Sequence, residues 1–459
     1  RAQKEAMLES SVDEIVNSFD EFALSDTMYS FMPSRPFDER LYARFWPISS
    51  ENGDRAVFLN QCSGAKMAPT ALLTHVKQPM LKRRSREILN DGIEKAKEWI
   101  GGQDKAVVDE KISAFQRALQ SCTTRQELDE VFNNNIKPCS FRPFVNSNAF
   151  LWNTVFDYQS GVGGGGARIR PEIKAVYELD NTVGFSLAHA PKDLSESLGQ
   201  FTSFCWYFPD NDLSRRGNGH IYLNQYIADT GTNAVTNNLH EDLRTSLSAL
   251  TGLSDEECAR KMVFYSYAVF CSQVYLEEFY GALFVVNQSE NRARIPVVSD
   301  ADVFLRLADL GERIALLEKN GSDVENVLSF EYDTLLNQLP NGFKLDHSRS
   351  AAKSPYDEEN EQLIVRDDSS GEEIRVYCPL SIQRFTVAGY NVVKDCWLKF
   401  HSYRFTHCEF ARTDFKELLD LLNKIAVQMQ YVSEIDELMH QIFNGEIPLL
   451  NHSNEDNEL

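Results

Sequence analysis

The 459-residue sequence is short of the features that mark a catalyst, a membrane protein or a secreted protein. No run of eighteen apolar residues occurs, so no segment reads as a membrane-spanning helix. Its nine cysteines are scattered, odd in number and never spaced as C-x-x-C. That pattern argues against a disulfide framework and for a reducing cytoplasm. Cations are also scarce: 46 Lys and Arg face 68 Asp and Glu, a formal charge of −22. Because phosphate contacts supply most nucleic-acid affinity, a surface that gripped DNA throughout would be basic. Any such contact is therefore confined to a local patch. Neither a G-x-S-x-G nucleophile motif nor an N/D-P-P-Y/F motif is present. An initiator methionine is missing too, as expected of a processed chain or a piece of a longer polypeptide.

What the sequence does have is one conspicuous glycine run, "DYQSGVGGGGARIRPE", Asp157 to Glu172. A phosphate-binding loop needs Lys and a hydroxyl after its last glycine, but Ala167 and Arg168 stand there. A dinucleotide fingerprint needs a helix next, where Pro171 intervenes. Two readings stand: a plain mobile loop, or a loop whose Arg168 and Arg170 reach phosphates or base edges. The segment "CWLKFHSYRFTHC" carries zinc-ligand types at Cys396, His401, His407 and Cys408, yet adjacent His407 and Cys408 seldom converge on one ion. Asp109 and Lys111 form a D-x-K pair in a helical, solvated context, without the upstream carboxylate of a metal-dependent nuclease. The cluster "LKRRSREI" is either a solvated helix face or a phosphate-contacting strip.

Patterning gives an α+β fold. Residues 1–135 read as a helical region, with a capping box at Thr124 and Glu127. Residues 136–445 read as a mixed α+β domain, and 446–459 as a disordered tail. Aromatic and β-branched runs from Ile136 to Ile227 predict strands. Ser254 with Glu257, and Ser299 with Asp302, are expected to start two helices, the first running unbroken through "FYGALF". "IVRDDSSGEEIRVYCP" predicts a hairpin with an acidic tip, and "TDFKELLDLLNKIAVQMQYVSEIDELMHQIF" a long closing helix.

Several fragments, in order from Phe58 to Arg404, are similar to the C-terminal coupler and target-recognition region of type ISP (single-polypeptide) restriction-modification enzymes. "FLNQCSGAKMAPTALL" resembles the family's serine-glycine-lysine segment, with Lys66 as the lysine. Phe141, Arg142, Pro143 and Phe144 resemble its tyrosine-arginine-proline-phenylalanine motif, followed by Arg170 and Pro171. Tyr265, Tyr267 and Tyr275 precede Arg294-Ile295-Pro296; Gly389-Tyr390, Trp397-Leu398-Lys399 and Arg404 complete the series. The glycine run and the charge depart from the family.

The resemblance implies a DNA-recognition module that positions duplex DNA for methyltransferase, translocase and nuclease domains outside this chain. It implies no catalytic residue and no cofactor here; S-adenosylmethionine, ATP and Mg2+ would serve those other domains. DNA-facing residues would be Lys66, Arg142, Arg168, Arg170, Arg215, Arg216, Lys399 and Arg404. Arg142 has two readings, a buried partner that fixes the fold or a DNA contact. The alternative for the whole chain is an acidic interaction or scaffold module that keeps the fold without reading DNA.

Overall fold

The computed structural model describes residues 37–49, 55–62, 64–65, 67, 70–100, 113, 115–152, 175–179, 181–188, 200, 202–211, 213, 220–229, 232, 234–283, 293–319, 321–347 and 355–450. Residues from Asp38 onward belong to one compact unit. The fold is α+β, closed by a long C-terminal helix. In chain order the elements that matter are β1 (Trp46–Pro47), β2 (Thr74–His75), α1 (Gln78–Ile100), α2 (Arg125–Asn135), β3 (Ile136–Arg142) and β4 (Val145–Phe150). Then come β5 (Gly184–Ala188), β6 (Thr202–Cys205), β7 (Phe208–Pro209), β8 (His220–Asn224), β9 (Tyr226–Ala228) and β10 (Val235–Asn237). The helical stretch that follows holds α3 (Asp255–Cys271), α4 (Gln273–Glu278), β11 (Arg294–Ile295) and α5 (Ala301–Leu317). The last part has β12 (Tyr356–Asp357), β13 (Gln362–Arg366), β14 (Glu373–Tyr377) and α6 (Arg412–Phe443).

Two small sheets carry the first half. One has the order β2-β4-β3-β7, the other β6-β5-β8. The β3–β4 hairpin spans two cores. Ile136, Cys139, Ala149 and Phe150 pack with α1 and α2, whereas Phe141, Phe144 and Val145 enter the core built on α6. Behind the second sheet, α3 is so completely enclosed that both of its faces are apolar, as expected of a central helix. It packs on α5 at Gly311, where a Cβ would sit 2.0 Å from the Phe264 carbonyl oxygen. Only glycine allows that approach.

Capping boxes form at Thr124–Glu127 and Ser254–Glu257 as the sequence predicts. The third helix start is corrected. Asp300, not Ser299, caps α5 by accepting from Val303 N at 3.0 Å. Ser299 is engaged elsewhere, its N–H donating to Pro448 O at 2.9 Å. The expected continuous helix is also broken, at Ser272. That residue turns extended, donates its hydroxyl to Asp436 of α6 at 2.6 Å and caps α4 by accepting from Tyr275 N. The interrupted helical bonding is offset by the cap and the charge-assisted bond. The family-like tyrosines are fold-holding: Tyr265 donates to Pro296 O at 2.7 Å and Tyr275 to Arg294 O. Among the described residues no helix is long and apolar enough to cross a membrane.

Candidate nucleic-acid interface

The two sheets are joined by the segment from Asn60 to Ala65. Cys62 exchanges backbone hydrogen bonds with Tyr222 on the free edge of β8, at 3.1 and 2.9 Å. Three residues on, Ala65 N donates to Pro209 O at 2.8 Å and Ala65 O accepts from Asn211 N at 2.5 Å, just past β7. One strand-like segment thus pairs with an edge of each sheet. Gly64 crosses the face of the Tyr222 ring so closely that a Cβ would lie 2.8 Å from it. The Tyr222 hydroxyl continues to Asp210 O at 2.6 Å.

Buried amides hold the seam from behind. Asn238 accepts from Asn60 N at 2.9 Å and donates to Asn60 O and Asn224 O at 3.0 and 2.9 Å. Asn224 in turn donates to Cys62 Sγ at 3.2 Å and accepts from the Tyr177 hydroxyl at 2.9 Å. Cys205, Leu213 and Tyr222 form a small core here, with Cys62 and Tyr177 packed against it. Each of these amide and hydroxyl groups finds a partner, which makes the seam a stiff platform.

Five of the predicted DNA-facing residues, Lys66, Arg168, Arg170, Arg215 and Arg216, lie outside the described residues. Described residues near them in sequence do not: Ala65 and Leu213 sit at the seam, as does Tyr177, seven residues after Arg170. Lys66 follows Ala65 directly, and Arg215 comes two residues after Leu213. The other three, Arg142, Lys399 and Arg404, gather at an aromatic corner. Arg142 is 7% exposed, its guanidinium 4.6, 4.9 and 5.2 Å from the Phe141, Tyr390 and Phe400 ring centres. This caged cation ties β3 to the Tyr390–Phe400 segment. Lys399 Nζ lies 5.0 Å from the Phe400 ring, and Arg404 is exposed on the short helix Tyr403–Thr406. The corner adjoins the seam along β3, because Asp210 N donates to Ser140 O at 2.9 Å, two residues before Arg142.

The basic cluster on α1 is committed to protein partners. Lys82 donates to Asn133 at 2.8 Å, Arg83 to Glu87 at 2.7 Å and Arg86 to Asp129 at 2.5 Å. Arg84 is fully buried, 4.7 Å over the Trp99 ring and bonded to Phe405 O at 2.5 Å. The suspected zinc types are spent on packing: Cys396 is buried, His401 stacks on Trp397 at 3.9 Å and His407 meets Trp99 edge-on at 4.6 Å. Burial holds the His401 imidazole down at about 4. Among the described residues no group of three His, Cys, Asp or Glu could hold a metal. Asp109 and Lys111 lie outside the described residues. Asn224, Asn238 and Tyr222 escaped sequence reasoning, because their partners are remote in the chain and amide contacts have no periodic signature.

No curated protein matches the sequence. Among solved structures, the fold is similar to the ATP-dependent type ISP restriction-modification enzyme LlaBIII bound to DNA, at TM-score 0.51 and 12% identity. That likeness covers 86% of this chain and 24% of the LlaBIII chain. It is similar also to the DrdV–DNA complex, at TM-score 0.54 and 15% identity, over 88% of this chain and 39% of that one. The chain therefore spans about a quarter of one solved protein and two fifths of the other. The type ISP C-terminal specificity domain model matches residues 56–426, from just before the seam into the first half of the closing helix, and on that match the chain belongs to this family.

Proposed function

We propose that this chain is the DNA target-recognition module of a type ISP restriction-modification enzyme, and that it meets duplex DNA along the seam and its adjoining aromatic corner. The observation that carries this reading is convergence: Cys62 and Leu213, four residues before Lys66 and two before Arg215, pack at one small core. Cations within a few residues of a rigid platform can follow a phosphate backbone while their attachment points keep register. The net charge of −22 is compatible with this, because repulsion from DNA is screened beyond about 8–10 Å. Arg142 acts from within, holding the corner from which Lys399 and Arg404 project.

On this reading α1 and α2 hold the reader at a set distance from methyltransferase, translocase and nuclease domains. Those domains, with S-adenosylmethionine, ATP and Mg2+, do the chemistry. The whole chain, titrated with labelled duplex of random sequence, should bind with a log K that falls linearly with log salt. The variant Lys66→Ala/Arg215→Ala/Arg216→Ala should lower that slope by about 3, at roughly 0.9 per phosphate contact. Affinity near 0.15 M salt should drop roughly 10- to 100-fold. Selection from a randomised duplex pool should converge on one consensus. A salt-independent response, or a slope unchanged in the triple variant, would overturn the seam as the interface and favour an acidic interaction module.

A further inference from the structure

The three-stranded sheet β12-β13-β14 lies in the core built on α6, apart from the seam. Its hydrogen bonding fixes which way each backbone group of β14 points. Asp367 N donates to Glu372 O and Cys378 N to Glu361 O, both at 2.8 Å. With the register Leu363↔Val376 and Val365↔Ile374 between them, Ile374 and Val376 turn their N–H and C=O toward β13. Glu373, Arg375 and Tyr377 turn theirs outward, and among the described residues no hydrogen bond reaches those groups. On the far side β13 is covered by β12, Ile364 N donating to Pro355 O at 2.7 Å.

Open edges pair readily with other chains, and folded proteins usually blunt them with Lys, Pro, a bulge or an inward charge. This strand, Glu-Ile-Arg-Val-Tyr, has no Lys, Pro, bulge or inward charge, and its Glu373 and Arg375 pair with each other; its register is unbroken and its inward residues Ile374 and Val376 are buried. Tyr377 is half-exposed at its end. The surroundings select the partner by charge. Between Tyr356 and Arg384 eight carboxylates stand against three arginines. Each of those arginines is already in an ion pair: Arg366 and Arg375 with Glu373, and Arg384 with Glu358. We infer that the outward edge of β14 is a docking site for an extended, Lys/Arg-bearing segment of another protein, added as a fourth strand. Main-chain bonds would provide the affinity and the acidic rim the choice of partner.

The test uses the whole chain and an eight-residue peptide alternating lysine and valine. Amide hydrogen exchange at Glu373, Arg375 and Tyr377 should slow at least tenfold when the peptide saturates. Arg375→Pro removes one outward N–H and no bond to β13, so it should abolish that protection, whereas Arg375→Ala should keep it. A peptide methylated on alternate backbone nitrogens should bind at least tenfold more weakly, which tests the pairing without altering the protein. The same peptide with glutamate for lysine should not bind. Unchanged exchange at these three amides under millimolar peptide overturns the proposal. So does binding indifferent to backbone methylation, which would be charge adhesion alone. Protection that grows with protein concentration in the absence of peptide overturns the choice of partner in favour of a second copy of the chain. DNA binding enters none of these readouts.

Discussion

The seam-side sheet and the acidic outer sheet each bury a carboxylate, and they treat it in opposite ways. Glu318 closes α5 beneath β6, fully enclosed, accepting from Ser203 Oγ at 2.9 Å, from Phe204 N at 3.4 Å and from the Tyr267 hydroxyl. Burial pushes it up to about 7 against those donors. Asp367 stands at the turn of the outer hairpin. Burial works to raise it too, but the N–H groups of Lys344, Ser370 and Ser369, at 2.6, 2.6 and 3.0 Å, hold it below the usual range. Depth and donors both differ: Glu318 is enclosed deep in the protein with two hydroxyls and a long N–H contact, whereas Asp367 lies near the surface, where short backbone N–H bonds outweigh a smaller desolvation. Rising pH therefore loads charge into the seam-side interior, and falling pH removes it from the outer turn.

The sharpest way to break that contrast is Glu318→Gln. A folded-state value of about 7 lies above the ordinary 4.5, so the proton held by Glu318 stabilises the fold fully below 4.5. That contribution is lost as pH rises to about 7. The substitution should abolish the decline and leave the protein more stable at pH 8, by at most roughly 3 kcal/mol, with little difference at pH 4. Thermal melts across that range read it directly; parallel profiles for both proteins would refute the assignment. The next effect belongs to the seam itself. Gly64→Val drives a side chain into the enclosed Tyr222 ring, which cannot swing away without losing its bond to Asp210 O. A cost of about 2 kcal/mol is expected, along with weaker DNA binding than the matching substitution Gly371→Val on the outer hairpin. Equal binding by the two variants would remove the seam's special standing.

Much of the secondary structure could be read from local signals, because capping and alternation act within a few residues. The boxes at Thr124 and Ser254, the β13–β14 hairpin and the closing helix are of this kind. The misreadings arise where a remote contact overrides the local one. Pro448 takes Ser299 and leaves the cap to Asp300; Asp436 takes Ser272 and cuts a helix in two. The α1 cations look like a phosphate strip until α2 supplies Asp129 and Asn133. The seam was out of reach for the same reason: Cys62 meets Tyr222, and Asn60 meets Asn238, across most of two sheets. Tyr265, Tyr275 and Arg142 stand out only as motif letters in the sequence, and their work is to hold aromatic corners and turns together.

The smallest effect sharpens the other half of the contrast. With its carboxylate held low, Asp367 stabilises the fold above the ordinary 3.8, and that stability is lost as pH falls through the lower folded-state value. Asp367→Asn keeps the shape but replaces charge-assisted acceptance from Lys344 N and Ser370 N with a neutral bond and an amide that points a donor at donors. The expected loss at pH 7 is about 1 kcal/mol, shrinking toward zero as pH falls through that lower value, the reverse of the Glu318→Gln profile. Because the turn also sets the start of β14, the outward amide of Glu373 should exchange faster in this variant, while the seam amides of Cys62 and Tyr222 keep wild-type protection. Loss of protection at both places together would mean that the two sheets unfold as one unit, and that their opposite pH responses cannot be separated.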